Sequence, residues 1–77
     1  MNNLSRDDVH KLICKNLKAL RLQQGKSQIT FGDYAKISNQ QYSKFETGKS
    51  LIPANYLYLI AKGCGIEVTY FYQDNDS

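Results

Sequence analysis

The chain has 77 residues, 42% of them hydrophobic and 22% charged, which allows one small domain with a thin core. No run approaches the ~20 apolar residues of a membrane helix, and complexity and apolar content are too ordinary for wholesale disorder, so a membrane protein, a repeat array and a large α/β enzyme are excluded. The net charge is only +3, yet nine basic residues and just two acids, Asp33 and Glu46, lie between Lys11 and Lys62; such a basic body suits a polyanion or an acidic surface, although a solvated basic surface would show the same imbalance.

Ser5 followed by Arg6-Asp7-Asp8 is a Ser-x-x-Asp cap with acids in the first turn of a helix. Val9, Leu12, Ile13, Leu17 and Leu20 then recur at intervals of three and four, which predicts one apolar face, and Gly25 supplies the stop. A second, shorter helix starts at Ser27, with Phe31 and either Tyr34 or Ala35 as its apolar side. Gly32 sits in its middle, where glycine costs roughly 0.5–1 kcal/mol relative to alanine. Either the helix is simply marginal, or another helix passes too close for a larger side chain.

The third helix has the strongest start signal. Ser38 can cap, Gln41 completes Ser-x-x-Gln, and Ile37 and Tyr42 occupy the staple positions across that cap. It runs to about Thr47 and stops at Gly48. About two residues separate it from the second helix, which forces a sharp turn. The fourth helix opens at Pro53, carries Leu57, Ile60, Ala61 and Cys64 on one face, and closes at Gly65. Ile66 to Tyr72 has strand-forming residues, but a lone strand has no partner, so it is read as a fifth short helix. Gln73 to Ser77 reads as a frayed acidic tail. The expected architecture is all-α: a compact five-helix bundle in a single domain over 1–77, ordered over about 5–72.

Cys14 and Cys64 stand fifty positions apart with no metal-ligand spacing, and His10 is the one histidine. No nucleophile–base pair or phosphate-cradling glycine loop is present. The sequence therefore implies no enzyme, no cofactor and no metal. The start Met1-Asn2-Asn3-Leu4-Ser5 lacks a signal-peptide plan, which leads to the expectation of a cytoplasmic protein with reduced thiols.

At 100° per residue, Tyr42 and Phe45 fall on one side of the third helix and face the core. The opposite side carries Asn39, Gln40, Ser43, Lys44 and Thr47. It offers amides, hydroxyls and an ammonium, with no carboxylate. Amides pair with adenine edges, lysine reaches guanine acceptors, and hydroxyls suit bases or phosphates. Polar helix faces are usually just solvated; the missing acid and the sharp turn in front set this one apart.

Gln28 to Phe45 resembles the helix-turn-helix of the phage-repressor (Cro/xenobiotic-response-element) family. The likeness begins with Leu17-Lys18-Ala19-Leu20-Arg21. It passes through Ser27-Gln28, Gly32, Ile37-Ser38 and Lys44-Phe45-Glu46-Thr47-Gly48-Lys49. It ends with Leu59-Ile60-Ala61, Gly65-Ile66 and Phe71-Tyr72, covering about Ile13 to Tyr72. The resemblance implies a lambda-repressor-like bundle. It also implies a sequence-specific, double-stranded DNA-binding transcriptional regulator whose third helix, about 38–47, reads the major groove. Asn39, Gln40 and Lys44 then match base-reading positions, with Ser43 on the same face. Lys26, Ser27, Gln28, Ser38, Thr47 and Lys49 belong to the backbone-contacting set. Arg21 and Glu46 match a pair that bridges the first and third helices. Two departures stand out: Gly32 replaces the usual alanine, and Lys36 replaces the usual turn glycine. A non-glycine residue in a left-handed turn costs roughly 1–2 kcal/mol.

The family's habit of two-fold binding implies a homodimer, for which Leu51, Ile52, Val68, Tyr70 and Tyr72 are the candidate surface. The alternative is a protein-binding module, such as an antitoxin or adaptor, that turns the same face toward a protein partner. RNA is disfavoured, because its deep, narrow major groove does not admit a helix.

Overall fold

A computed structural model describes residues 4–74. Four α-helices form where the caps and apolar spacings place them: α1 (Arg6–Gln23), α2 (Gln28–Tyr34), α3 (Asn39–Glu46) and α4 (Ala54–Cys64). No strand occurs among the described residues. The Ser5 hydroxyl accepts from the Asp8 amide while the Asp8 carboxylate accepts from the Ser5 amide, a reciprocal cap. Ser27 and Ser38 cap α2 and α3 in the same way through one bond each, to Thr30 and Gln41. Pro53 precedes α4 as its N-cap residue.

The fifth helix of the sequence reading needs correction. Val68–Tyr72 is a 3₁₀ helix, so the fold has four α-helices and one tighter turn. Two physical causes act there. Val68 and Thr69 are β-branched and poor helix formers. The Asn16 side chain also takes up carbonyls that a longer helix would use, its Nδ2 donating to Phe71 at 2.9 Å, Gln73 at 2.8 Å and Tyr70 at 3.3 Å. Asn16 is itself buried. The segment from Tyr70 to Gln73 is thereby fastened to α1. Gln73 and Asp74, expected to begin the frayed tail, are tied down as well, Asp74 by an ion pair to Lys15 at 3.4 Å. Residues 75–77 lie outside the described residues.

One core joins all these elements. Leu17 and Leu20 of α1 meet Phe31 of α2, Ala35 just after it, Tyr42 of α3, Leu57, Ile60 and Ala61 of α4, and Phe71. Each fully buried Leu or Phe contributes ~1.5–3 kcal/mol of transfer free energy. Phe31 sits edge-on to Tyr42 at 5.8 Å between ring centres.

All four α-helices end in the same way. A backbone amide two or three residues past each end bonds to the carbonyl five residues back: Lys26 to Arg21, Ile37 to Gly32, Lys49 to Lys44 and Ile66 to Ala61. This motif needs one residue in the left-handed conformation. Gly25, Gly48 and Gly65 supply it after α1, α3 and α4, but Lys36 supplies it after α2, at φ 60°. The lysine therefore carries the ~1–2 kcal/mol of strain expected for a side chain in that region. Gly32 has the sharper of its two explanations. A Cβ there would lie 3.0 Å from the Ile37 carbonyl oxygen and 3.3 Å from that of Ser38, so α3 starts too close for a larger residue to fit without a shift.

Gly63 is a second close approach, unannounced by any sequence pattern. A Cβ on it would overlap the ring of Tyr34 from α2. Gly63→Ala should lower stability by ~1–3 kcal/mol through overpacking, read as a shift in the urea midpoint. In a Tyr34→Ala background the same change should cost much less; an equal cost in both backgrounds would contradict the contact.

Candidate nucleic-acid interface

Tyr42 and Phe45 anchor the inner side of α3, with exposures of 0% and 4%. Asn39, Gln40, Lys44 and Thr47 are exposed on its outer side, and Ser43 is half-buried. Gln28 from α2 and Lys49 from the following loop join them around one open hollow of about 370 Å³. The structure thus brings the four base-reading candidates together with Gln28, Thr47 and Lys49. Lys26, Ser27 and Ser38 are exposed but do not line that hollow. Ser38 uses an oxygen lone pair to cap α3, which leaves its hydroxyl proton available, whereas the Ser27 hydroxyl both caps α2 and shares a hydrogen bond with the Thr30 hydroxyl at 3.1 Å. Thr47 instead donates its hydroxyl to the Ser43 carbonyl at 2.7 Å. Outward it presents a methyl group and an accepting oxygen.

The Arg21–Glu46 pair fixes this face on its support. Arg21 Nε donates to Glu46 Oε1 at 2.8 Å and one terminal nitrogen donates to Oε2 at 2.9 Å. This is a two-bond fork between side chains only 13% and 3% exposed. The other guanidinium nitrogen donates to the Lys26 carbonyl, which ties the start of α2 to the same centre. Gln28 also belongs to this network, its Nε2 donating to Glu46 Oε2 at 3.3 Å. A backbone-contacting candidate is therefore also a brace. Burial works against the Glu46 charge, but the partners outweigh it, Arg21 first, then Tyr42 and Gln28, and hold its pKa below the ordinary glutamate value. The Tyr42 hydroxyl is buried beside Glu46. Its ionisation is pushed up by burial first and by the neighbouring Glu46 charge second.

Sequence reasoning missed the clamp on the far end of α3. His10 and Cys14, one helical turn apart on α1, both reach it. His10 Nε2 donates to the Gly48 carbonyl at 3.1 Å, and the Cys14 thiol donates to the Phe45 carbonyl at 3.2 Å. Burial raises the Cys14 pKa, in keeping with a neutral donor. The signal was an i, i+4 pair of weak donors beside the apolar stripe, readable only once the partner carbonyls were known. Asn16 was equally legible after the fact, as an amide inside the stripe of Ile13, Leu17 and Leu20.

The five dimer candidates differ in their surroundings. Leu51 and Ile52 border a mainly apolar hollow with Arg6, Val9, His10 and Ile13. Tyr72 borders another with Leu4, Asp8, Leu12, Lys15 and Asp74. Ile52, Val68 and Tyr70 are half-buried and pack against the core.

A helix-turn-helix family model matches residues 17–71. The chain belongs to the phage-repressor (Cro/xenobiotic-response-element) helix-turn-helix family. No curated protein and no solved structure matches it significantly. The match covers α2, the turn, α3 and α4, and so includes the whole hollow. This is a family of DNA-binding regulators. No helix among the described residues is long and apolar enough to cross a membrane, and no group of His, Cys, Asp and Glu among them could hold a metal ion.

Arg21→Ala should cost ~3–5 kcal/mol in chemical denaturation, because it strands a buried carboxylate. The acid limb has a definite sign. Glu46 has a lowered folded-state pKa, so its contribution is complete above the unfolded value of 4.5 and is lost as pH falls through the lower folded value. Glu46→Gln should be less stable at neutral pH and should lose less stability on acidification, measured by urea titration at several pH values.

Proposed function

We propose that this protein is a sequence-specific regulator of transcription that reads the major groove of duplex DNA with α3 and works as a homodimer. The observation that carries the reading is the two-sided character of α3. Its inner side is locked by Tyr42, Phe45 and the Glu46–Arg21 fork. Its outer side is a carboxylate-free set of amides, hydroxyls and one ammonium around an open hollow. A rod held this way presents donors and acceptors at fixed angles, as base readout requires.

Asn39, Gln40, Ser43 and Lys44 are the base-reading residues in this proposal. Lys26, Ser27, Gln28, Ser38, Thr47 and Lys49 hold phosphates and set register. One such module reads about half a site. A two-fold pair would set its reading helices ~34–36 Å apart, one turn of DNA. Of the dimer candidates, Leu51 is the most available, at 60% exposure beside the hollow formed with α1.

Selection from a random duplex pool, read by sequencing, tests the proposal. The expected product is a palindromic or near-palindromic site, and a pool without enrichment rejects sequence-specific reading. Gln40→Ala and Lys44→Ala should each lose ~1–3 kcal/mol of discrimination at one base position while the fold survives. Lys49→Ala should weaken binding to all duplexes alike and reduce the salt dependence; an unchanged salt slope would argue against a phosphate contact there.

A further inference from the structure

Four helices share one C-terminal motif, and three of them fill its left-handed position with glycine. The exception is Lys36, in the turn that leads into α3. Strain retained where an unstrained residue would serve is a pointer to function. The Lys36 side chain is exposed and forms no ion pair among the described residues. Asp33, one turn earlier, is also exposed, yet it meets Lys36 through its backbone carbonyl, which accepts from the Lys36 amide at 3.0 Å, and not through an ion pair. The lysine is therefore not retained for a contact within the fold.

Its position supplies a reason. α3 has eight residues and is thus about 12 Å long, close to the width of the major groove. Thr47 and Lys49 stand at its C-terminal end. At its N-terminal end Ser38 offers a hydroxyl proton, and Lys36 is the sole Lys or Arg between Gln28 and Ser43. Without Lys36, one end of the reading helix would carry a cation and the other none.

We propose that Lys36 is a DNA-contacting residue that holds a backbone phosphate at the N-terminal end of α3, opposite the contacts made by Thr47 and Lys49. This rests on the DNA-reading proposal above. The ammonium sits on a four-carbon stem and acts as a point charge, so it contributes affinity and register without choosing bases.

The test is salt-dependent binding of the full chain to a fluorescent duplex of random sequence, with Lys36→Gly, Lys36→Gln and Lys36→Arg beside the parent. Circular dichroism melts establish that each variant folds. Each phosphate contact contributes about 0.9 to the slope of log affinity against log salt. The glycine and glutamine variants should therefore show a fall in affinity between 50 and 200 mM salt about 3.5-fold smaller than the parent's. Lys36→Arg should keep the parental slope, and Lys36→Gly should melt no lower than the parent because it relieves the turn. Parental slopes in the glycine and glutamine variants, with the parent itself binding in a salt-dependent way, would overturn the Lys36 contact alone. A parent that does not bind duplex DNA at all would overturn the DNA reading as well.

Discussion

The geometry of the reading face depends on a buried carboxylate. Glu46 lies at the last turn of α3, on the side away from the outer face, and polar contacts from α1 and α2 converge on it. Arg21 grips it from α1 with two bonds, Gln28 from α2 with one, and the same guanidinium holds the Lys26 carbonyl where α2 begins. Removing charges from water is expensive, and a pair this deep returns the cost only when its bonds are well made. The consequence is angular rather than energetic. An apolar contact is non-directional, whereas a forked pair with a third donor constrains both the rotation and the tilt of α3.

The helix is held at its other points by weaker bonds that agree with the fork. Ser38 closes the N-terminal end. His10 and Cys14 take the Gly48 and Phe45 carbonyls at the C-terminal end, which satisfies groups that the end of a helix leaves open. Tyr42 and Phe45 fill the space beneath. Eight residues make a helix too short to be stable in isolation. Its shape is imposed almost wholly by tertiary contacts, and this leaves the outer side free to carry polar residues of any helix propensity.

Much of this was legible in the amino-acid sequence, and the boundary between legible and hidden is physical. Caps, glycine stops and apolar spacing are local, so Ser5, Ser27, Ser38, Gly48 and Gly65 announced the helix ends, and Tyr42 and Phe45 declared the inner side of α3. The strain at Lys36 was also readable, because the turn dictates φ irrespective of the residue. What stayed hidden required a partner distant in the chain. Asn16 reads as a misplaced amide until the carbonyls of the last segment are seen to end on it. His10 looks solitary until Gly48 arrives beside it. The extent of the last segment was misread because β-branched propensity and capture by Asn16 compete there, and only the second is tertiary. The packing of Ile52, Val68 and Tyr70 against the core was hidden for the same reason.

The ring of Tyr34 lying over Gly63 has a bearing on how this sequence can drift. The two positions are far apart along the chain and neither touches the reading face, yet they are not free to vary independently. Enlarging the glycine first creates a collision, whereas trimming the aromatic first opens room that a later methyl group can fill. Evolution through this pair is therefore directional, and related chains that carry alanine at the α4 position should have surrendered the bulky ring on α2 beforehand.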